Sequence, residues 1–338
     1  MSHSLIKAIN SRKGQLRNEL NYMIPWWMEL SDYHLNHRGR FLNKEGKQNK
    51  RKRNTKVVNN KSRLSGRTLQ GGLMAGITSP ARPWFRLKLE DEQLSKIISV
   101  SIWLDEVEKL MREVFNASNT YTSLLSAYLE LGVFATTAVG IYEDYENVIR
   151  TEVFTVGQYM LGTNGKGQVD TFYREYEMPV GELVKEYGKD KVSDQVVRLW
   201  NQGSLDSMIM VVHAVEPNDD RNQLSPLAKH KRFRSVYFEA TEKDKFLLES
   251  GFDEFPYLTP RWEVISGDVY GGTCPGMDTL GDQKALQLRE KEIGTANHHN
   301  SSPATQMPST LAQQLPAGGV QPGINITVDN TSTERGAR

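Results

Sequence analysis

The sequence predicts an α+β fold: a body of helices and antiparallel strands, followed by a long helix and a proline-rich tail. Apolar residues recur at helical spacing between residues 94 and 131. From residue 139 onward, short runs of β-branched and aromatic residues alternate with turn residues, which is typical of antiparallel strands. Helices followed by meander-like strands are the pattern of an α+β domain.

The composition is that of a globular chain with balanced charge. The chain has 338 residues, 38% of them hydrophobic and 25% charged, and a formal net charge of +1. This length allows one large domain or two smaller ones. The single cysteine, Cys274, excludes an internal disulfide and a cysteine-rich zinc site, and fits a reducing compartment such as a bacterial cytoplasm. The near-neutral charge argues against a protein that coats nucleic acid with its whole surface.

We expect neither a secretory signal nor a membrane partner. The N-terminus lacks the uninterrupted apolar run of a signal peptide. No stretch approaches the roughly 20 apolar residues that cross a bilayer. The richest run, residues 124–141, is interrupted by polar residues and glycines and indicates a buried helix.

Apolar residues at spacings of three and four predict a helix over residues 4–35. Pro25 should end or kink this helix near Met23, because proline lacks the backbone donor and clashes with the preceding turn. Trp26 and Trp27 follow immediately. We interpret both as core anchors and not as a platform for stacking bases.

A strongly basic stretch, residues 43–67, comes next. It holds ten Lys or Arg residues and one acidic residue, Glu45. Low hydrophobicity and self-repulsion predict a mobile loop or arm. Two interpretations remain open: contact with DNA phosphates, which releases counterions, or a solvated loop that touches acidic protein. The residues expected to contact nucleic acid or a partner are Lys50, Arg51, Lys52 and Arg53.

Between the basic stretch and the strands, the sequence predicts an irregular segment and then two helices. Gly71, Gly72 and Gly76 are expected to break regular structure. Residues 94–117 place their apolar residues on one helix face. Asn119 is a good N-cap for the second helix.

Short strands and two short helices complete the predicted body. Asn164-Gly165 supplies a hairpin turn before the third strand. The predicted helices are 179–187 and 192–200, and the predicted strands are 139–142, 148–156, 169–176, 208–215, 234–239, 246–249 and 257–262.

Residues 274–300 predict one long helix, with Pro275 in its first turn. Its apolar positions are sparse, so we expect it to pack against neighbours or copies of itself. The positions expected to make ring contacts are Met277, Leu280, Leu286 and Ile293. The tail, residues 301–338, carries four prolines and one strand-like run, and is either disordered or ordered by a partner chain.

Catalytic and cofactor signals are weak. The sequence contains neither a Walker-type phosphate loop nor an HExxH zinc motif. His34 and His37 would share a helix face, but few ligands stand nearby, so we interpret them as solvated or partner-facing. The acidic pairs Asp219-Asp220 and Asp253-Glu254 are typical of turns. We predict no enzyme activity, no metal and no cofactor.

Three segments, in order, resemble the head-to-tail connector (portal) proteins of short-tailed bacteriophages. They are LMAGITSPARPWFRL (73–87), ASNTYTSLLSAYLELGVFATTAVGIYED (117–144) and FPYLTPRWEVISGDVYGGTCPGMDTLGDQKALQLREKE (255–292). The resemblance implies a portal wing over residues 1–265, a stem helix over 266–300 and a clip-like segment over 301–338.

The resemblance also implies a function and a set of partners. Portal proteins form rings, usually of twelve subunits, at one capsid vertex, where double-stranded DNA enters and leaves. Expected partners are the major capsid and scaffolding proteins, the terminase and the tail adaptor proteins. The expected location is the virion, after assembly in the host cytoplasm.

One departure from the family concerns length. Family members continue past the clip with a second stem helix, a tunnel loop and a crown, whereas this sequence stops at Arg338. We expect either that the sequence is part of a longer subunit or that another polypeptide supplies the remainder.

Two other function classes stay open at this point. The first is a DNA-binding module led by the basic stretch, which would show a steep salt dependence. The second is a nucleic-acid-processing enzyme whose metal site uses scattered carboxylates.

Overall fold

The computed structural model describes residues 2–36, 38–41, 57–95, 97–222, 224–242, 244–303, 306–308 and 326–328. The helices in these ranges are α1 (Ser2–Tyr33), α2 (Lys61–Ile77), α3 (Glu92–Ser95), α4 (Ile98–Ala117), α5 (Thr120–Phe134), α6 (Val180–Tyr187), α7 (Asp194–Asn201), α8 (Pro275–Asp278) and α9 (Leu280–Ser301). The strands are β1 (Ala138–Asp144), β2 (Val148–Phe154), β3 (Tyr159–Thr163), β4 (Val169–Pro179), β5 (Met208–Pro217), β6 (Phe233–Glu239), β7 (Leu248–Phe252), β8 (Tyr257–Leu258), β9 (Gln306–Pro308) and β10 (Ile326–Val328).

Antiparallel strands form the two sheets of the body. The larger sheet is a five-stranded meander in the order β3-β4-β5-β6-β7, and the smaller one has the order β2-β1-β8. Strand β5, in the middle of the meander, has five of its ten residues buried, all consecutive. The mixture of helices and antiparallel strands confirms the α+β prediction.

The chain divides into two compact units. The first comprises Met1–Asn54 and Lys61–Leu280, and the second comprises Thr55–Asn60 and Gly281–Arg338. The second unit contains most of α9 and the short parallel pair of β9 with β10.

Helix α1 continues through Pro25, so the prediction that the helix ends near Met23 is wrong, and the alternative of a kink there stays a prediction. Trp27 and Leu30, beyond the proline, are both fully buried. Their burial fixes this part of the chain in place, which offsets the backbone hydrogen bond that proline cannot make. The two tryptophans also differ: Trp27 is a core anchor, as predicted, whereas Trp26 is 58% exposed.

Helix α2 passes through the three glycines that were expected to break it. Its packing on α5 explains the difference: the Gln70 side chain donates to the Leu125 carbonyl at 2.8 Å. A Cβ at Gly132 of α5 would lie 2.8 Å from a methyl carbon of Leu69, so the two helices are close. Tertiary packing therefore overrides the low helix propensity of glycine. Residues 61–67 of the predicted basic arm consequently belong to a helix.

The predicted hairpin exists, but its first strand is β3, which the sequence interpretation missed. Asn164 forms the turn: its side-chain oxygen accepts from the Lys166 and Gln168 backbones at 2.9 and 3.0 Å. The predicted strand over 148–156 corresponds to β2 alone. The predicted long helix is also interrupted, because Thr279 separates α8 from α9.

The main core joins the N-terminal helix to segments far along the chain. The Trp27 indole donates to the carbonyl of Phe134, the last residue of α5, at 3.1 Å. Its ring meets the edge of Tyr270 at a centroid distance of 5.2 Å. The Tyr270 hydroxyl in turn accepts from the Leu161 backbone at 3.1 Å. Trp27 and Tyr270 therefore join four parts of the body: helix α1, helix α5, strand β3 of the meander and the loop that holds Tyr270.

Candidate nucleic-acid and assembly surfaces

The four basic residues expected to contact nucleic acid, Lys50, Arg51, Lys52 and Arg53, lie outside the described residues. Two residues within the basic stretch, Val58 and Asn59, are held on α9. The Gln287 side-chain oxygen accepts from the Val58 and Asn59 backbones at 2.7 and 2.9 Å, and its amide donates to the Asn59 carbonyl at 2.7 Å. The Asn59 side chain donates to Glu290 at 2.8 Å. The basic stretch is thus fixed to α9 at Val58 and Asn59, just before α2 begins.

Sequence interpretation missed this anchor, because an amide in a polar helix carries no signal of its partner. Gln287 is 3% exposed, so its hydrogen bonds are shielded from water. A shielded backbone group that loses its partner costs roughly 1–3 kcal/mol.

Replacing Gln287 with leucine should therefore release residues 57–60 from α9. We expect faster amide hydrogen exchange at Val58 and Asn59, and faster tryptic cleavage in the basic stretch. Gln283→Leu is the matched control, because Gln283 is also buried on α9 but its amide nitrogen has no described partner. Equal protection of Val58 in both variants would show that Gln287 does not anchor the segment.

The four positions expected to make ring contacts have different surroundings. Leu280 is 5% exposed and belongs to the main core, and Met277 packs against that core. Leu286 is half-buried. Ile293 is 55% exposed and so offers apolar surface to another chain. The ring-contact role of these residues stays a prediction.

A partly buried ion pair joins Arg38, whose side chain is 31% exposed, to the fully buried Glu130. The Arg38 guanidinium donates to Glu130 at 2.9 Å, and the Glu130 side chain has 0% exposure. Burial raises the pKa of Glu130, and the Arg38 charge opposes that rise. The Thr155 side chain and the Val156 backbone also hydrogen-bond Glu130. The pair is a structural feature that makes this part of the core sensitive to protonation.

Two histidines of the body are buried and neutral. His213, on β5, contacts Ser235 at 3.0 Å and stacks on Tyr237 at a centroid distance of 3.8 Å. Burial lowers the pKa of His213 well below 6.5. His34, interpreted from sequence as solvated or partner-facing, is buried beside Ser62, and burial lowers its pKa too. His37 lies outside the described residues.

The single cysteine lies in the packed interior. Cys274 is buried, and its thiol donates to the Val133 carbonyl at 3.1 Å. Burial raises the pKa of this thiol, so the thiolate that a nucleophile requires is disfavoured. Across the ranges that the structure describes, no group of three His, Cys, Asp or Glu residues is arranged to hold a metal.

A charged cleft of about 300 Å³ lies where α1 approaches the larger sheet. Two of its arginines have partners: Arg17 bonds Glu175, and Arg174 pairs with Glu152 at 3.7 Å and lies over the rings of Phe154 and Tyr176 at 4.9 and 4.4 Å. This pairing explains how buried charge is tolerated there. In the part of the chain with described coordinates, no helix is long and apolar enough to span a membrane.

Comparison with known proteins decides the family. Residues 6–337 match the family described as bacteriophage head to tail connecting protein. The chain belongs to this family. The three sequence segments that resemble connector proteins all lie within the matched range, so the predicted resemblance is confirmed.

Two curated relatives of this head to tail connecting protein carry portal names. The portal protein of Salmonella phage epsilon15 is 43% identical over 303 residues, which cover 89% of this chain and 54% of the relative. The probable portal protein of Bordetella phage BPP-1 is 36% identical over 339 aligned residues, covering 96% of this chain and 61% of the relative. The chain therefore spans about half to three fifths of the length of the relatives it matches.

Proposed function

We propose that this chain is a portal subunit: a structural protein that forms a ring at one capsid vertex, through which DNA enters and leaves the head. The family match over residues 6–337 carries the proposal, and both relatives are named as portal proteins. The buried, protonated state of the Cys274 thiol accords with a structural role and not a catalytic one. The comparisons lend no support to a separate DNA-binding module or a metal-dependent enzyme.

The proposed partners follow from this role. They are further copies of the chain in a ring of twelve, double-stranded DNA in the channel, the major capsid and scaffolding proteins, the terminase and the tail adaptor proteins. The proposed location is the capsid vertex of the virion, after assembly in the host cytoplasm. Residues 1–265 would form the wing, residues 266–300 the stem, and residues 301–338 the clip.

Electron microscopy of the purified chain tests the proposal. Rings with a central channel are expected. A chain that is monomeric when pure but forms rings when the native virion proteins are added would also support the proposal. Absence of rings under both conditions would overturn the portal assignment and favour the DNA-binding module.

Helix α9 is the proposed stem contact. It has few apolar residues, and two of the large ones, Leu288 and Ile293, are 59% and 55% exposed. Exposed apolar side chains on a polar helix gain free energy when identical helices pack side by side, at about 25 cal/mol per Å² buried. A ring would bury them; an isolated chain leaves them in water.

Ile293→Asp should therefore weaken ring formation without changing the fold of the single chain. Thr295→Asp is the control, because positions two apart do not share a helix face. We expect rings from the control and mostly monomers from Ile293→Asp, with equal melting temperatures for the monomers. Intact rings from Ile293→Asp would remove this part of α9 from the contact.

The basic stretch is the proposed DNA contact of the ring. A near-neutral chain with one concentrated basic segment would hold DNA locally while the rest of the surface lets it slide. The anchor at Gln287 supports this proposal, because it fixes the segment to the helix proposed as the stem.

Replacing Lys50, Arg51, Lys52 and Arg53 with glutamine should flatten the salt dependence of DNA binding. Each lost phosphate contact reduces the slope of log K against log salt by about 0.9, so a reduction of up to about 3.6 is expected. Filter binding over a salt series measures it. An unchanged slope would assign the stretch to a protein partner instead. The matched control replaces four exposed basic residues of the body, Lys185, Lys189, Lys191 and Arg198.

A further inference from the structure

Six large apolar residues are exposed along α3, α4 and the turn that joins them. We name them the α4 ridge: Leu94, Ile97, Ile98, Ile102, Trp103 and Leu110. Exposure ranges from 45% at Leu94 to 78% at Ile98. Single exposed apolar residues are ordinary, but six within 17 positions form a patch that marks an interaction surface.

The packing of α4 within the single chain does not account for this patch. Its only buried residue is Glu108, while Leu104, Val107 and Phe115 on the other side are half-buried. A helix that is apolar on two sides is normally covered on both. The outer side of α4 therefore lacks a covering layer in the single chain.

The area of the ridge is that of a protein interface. A fully covered aromatic side chain such as Trp103 buries about 150–250 Å², and a Leu or Ile side chain somewhat less. Six residues that are about half exposed therefore offer on the order of several hundred Å². A stable interface buries about 800 Å² on each partner. The ridge supplies a large apolar part of that area.

A second exposed apolar surface lies on α1. Tyr22 and Trp26, one turn apart on the helix, are 81% and 58% exposed. With Met23, Val269 and Met277 they line a groove of about 630 Å³, which we name the α1 groove. Glu19 and Asp268 are also part of its lining. A groove lined by aromatic and aliphatic side chains suits an apolar helix face.

The ridge and the groove are the two different surfaces that a ring requires. In a ring of more than two copies, each subunit presents one surface forward and another backward, so each contact joins unlike patches. We propose that the α4 ridge of one copy docks in the α1 groove of the next. This inference rests on the proposed function, because a ring calls for two complementary surfaces on one chain.

Chemical cross-linking of full-length cysteine variants tests the pairing. Ile102→Cys places a thiol on the ridge, and Tyr22→Cys places one beside the groove. A bifunctional maleimide should join the two variants when they are mixed, and neither variant to itself. A chain with both substitutions should give a ladder of multimers. Native Cys274 is buried and should react slowly.

Two substitutions of Tyr145, one to cysteine and one to serine, provide the controls. Tyr145→Cys, at the fully exposed tip of the β1–β2 hairpin, should not cross-link with Tyr22→Cys. The double variant Ile102→Ser with Trp103→Ser should raise the concentration needed for assembly at least tenfold, at an unchanged melting temperature. Tyr145→Ser should leave that concentration unchanged.

The outcomes separate this inference from the portal assignment. Rings that form without cross-links between Ile102→Cys and Tyr22→Cys, and that tolerate both serines, would overturn the ridge-to-groove contact and leave the ring intact as a proposal. Cross-links of Ile102→Cys to itself would show that like surfaces pair, which also overturns it. No rings and no cross-links would overturn both proposals.

Discussion

Replacing Trp27 with alanine should lower the free energy of unfolding by about 3–5 kcal/mol, the usual cost of removing a buried aromatic side chain. Trp27 is fully buried, contacts the edge of Tyr270, and donates to the carbonyl of Phe134. The variant loses the buried apolar area of the indole and leaves a cavity. It also leaves the Phe134 carbonyl, at the end of α5, without its hydrogen-bond donor. Urea denaturation of both proteins measures the difference.

Trp26→Ala is the matched control, since the same side chain is removed one position earlier. Trp26 is 58% exposed, so its removal should cost less than about 1 kcal/mol. Equal losses at the two positions would contradict the structure, because they would place both indoles in the core.

Arg38→Ala should cost about 3–5 kcal/mol near neutral pH, because it leaves the buried carboxylate of Glu130 without its partner. The cost should depend on pH. Burial already raises the pKa of Glu130 above its ordinary 4.5, and removal of Arg38 raises it further. The folded variant then binds the proton more tightly than its unfolded chain. The stability of the variant therefore falls as pH rises from 4.5 to the raised pKa of Glu130. The deficit of Arg38→Ala should shrink as pH is lowered towards 4.5.

Comparing each variant with the parent protein at every pH isolates this effect. His34 and His213 have lowered pKa values, so their contributions are complete above 6.5 and are lost as pH falls below it. That loss occurs in both proteins and cancels in the difference. Arg40→Ala is the control, because Arg40 lines the charged cleft and does not pair with Glu130. A deficit for Arg38→Ala that stays constant with pH would mean that Glu130 is not the group left unpaired.

Local sequence signals predicted the elements whose stability is local. The apolar stripe of α4 and the Asn164-Gly165 turn both gave elements in the right places. Asn119 marked the start of α5, but its side chain does not cap the helix. It instead exchanges hydrogen bonds with the Thr151 backbone on β2, at 2.7 and 2.9 Å. The start of α5 was therefore predictable from Asn119, but the hydrogen-bond partner of Asn119 was not.

Features that depend on distant partners could not be predicted. The continuation of α1 through Pro25 depends on burial of Trp27 against residues more than a hundred positions away. Helix α2 tolerates its glycines because α5 covers one of its sides. The pair of Arg38 with Glu130 and the anchor at Gln287 join residues that no motif links. A single sequence records which residues are present, but not which of them meet.

The link between Trp27 and Tyr270 has a consequence for folding during translation. Roughly 240 residues separate the two rings, and at about 5–20 residues per second the ribosome needs on the order of 12–50 s to supply the second after the first. Throughout that interval the apolar side of α1 lacks its final partner, so nascent chains expose it to chaperones and to each other. The α1 groove, completed by Val269 and Met277, likewise forms late. Under the proposed docking of the α4 ridge in this groove, a chain accepts a neighbour only after residue 277 has been synthesised.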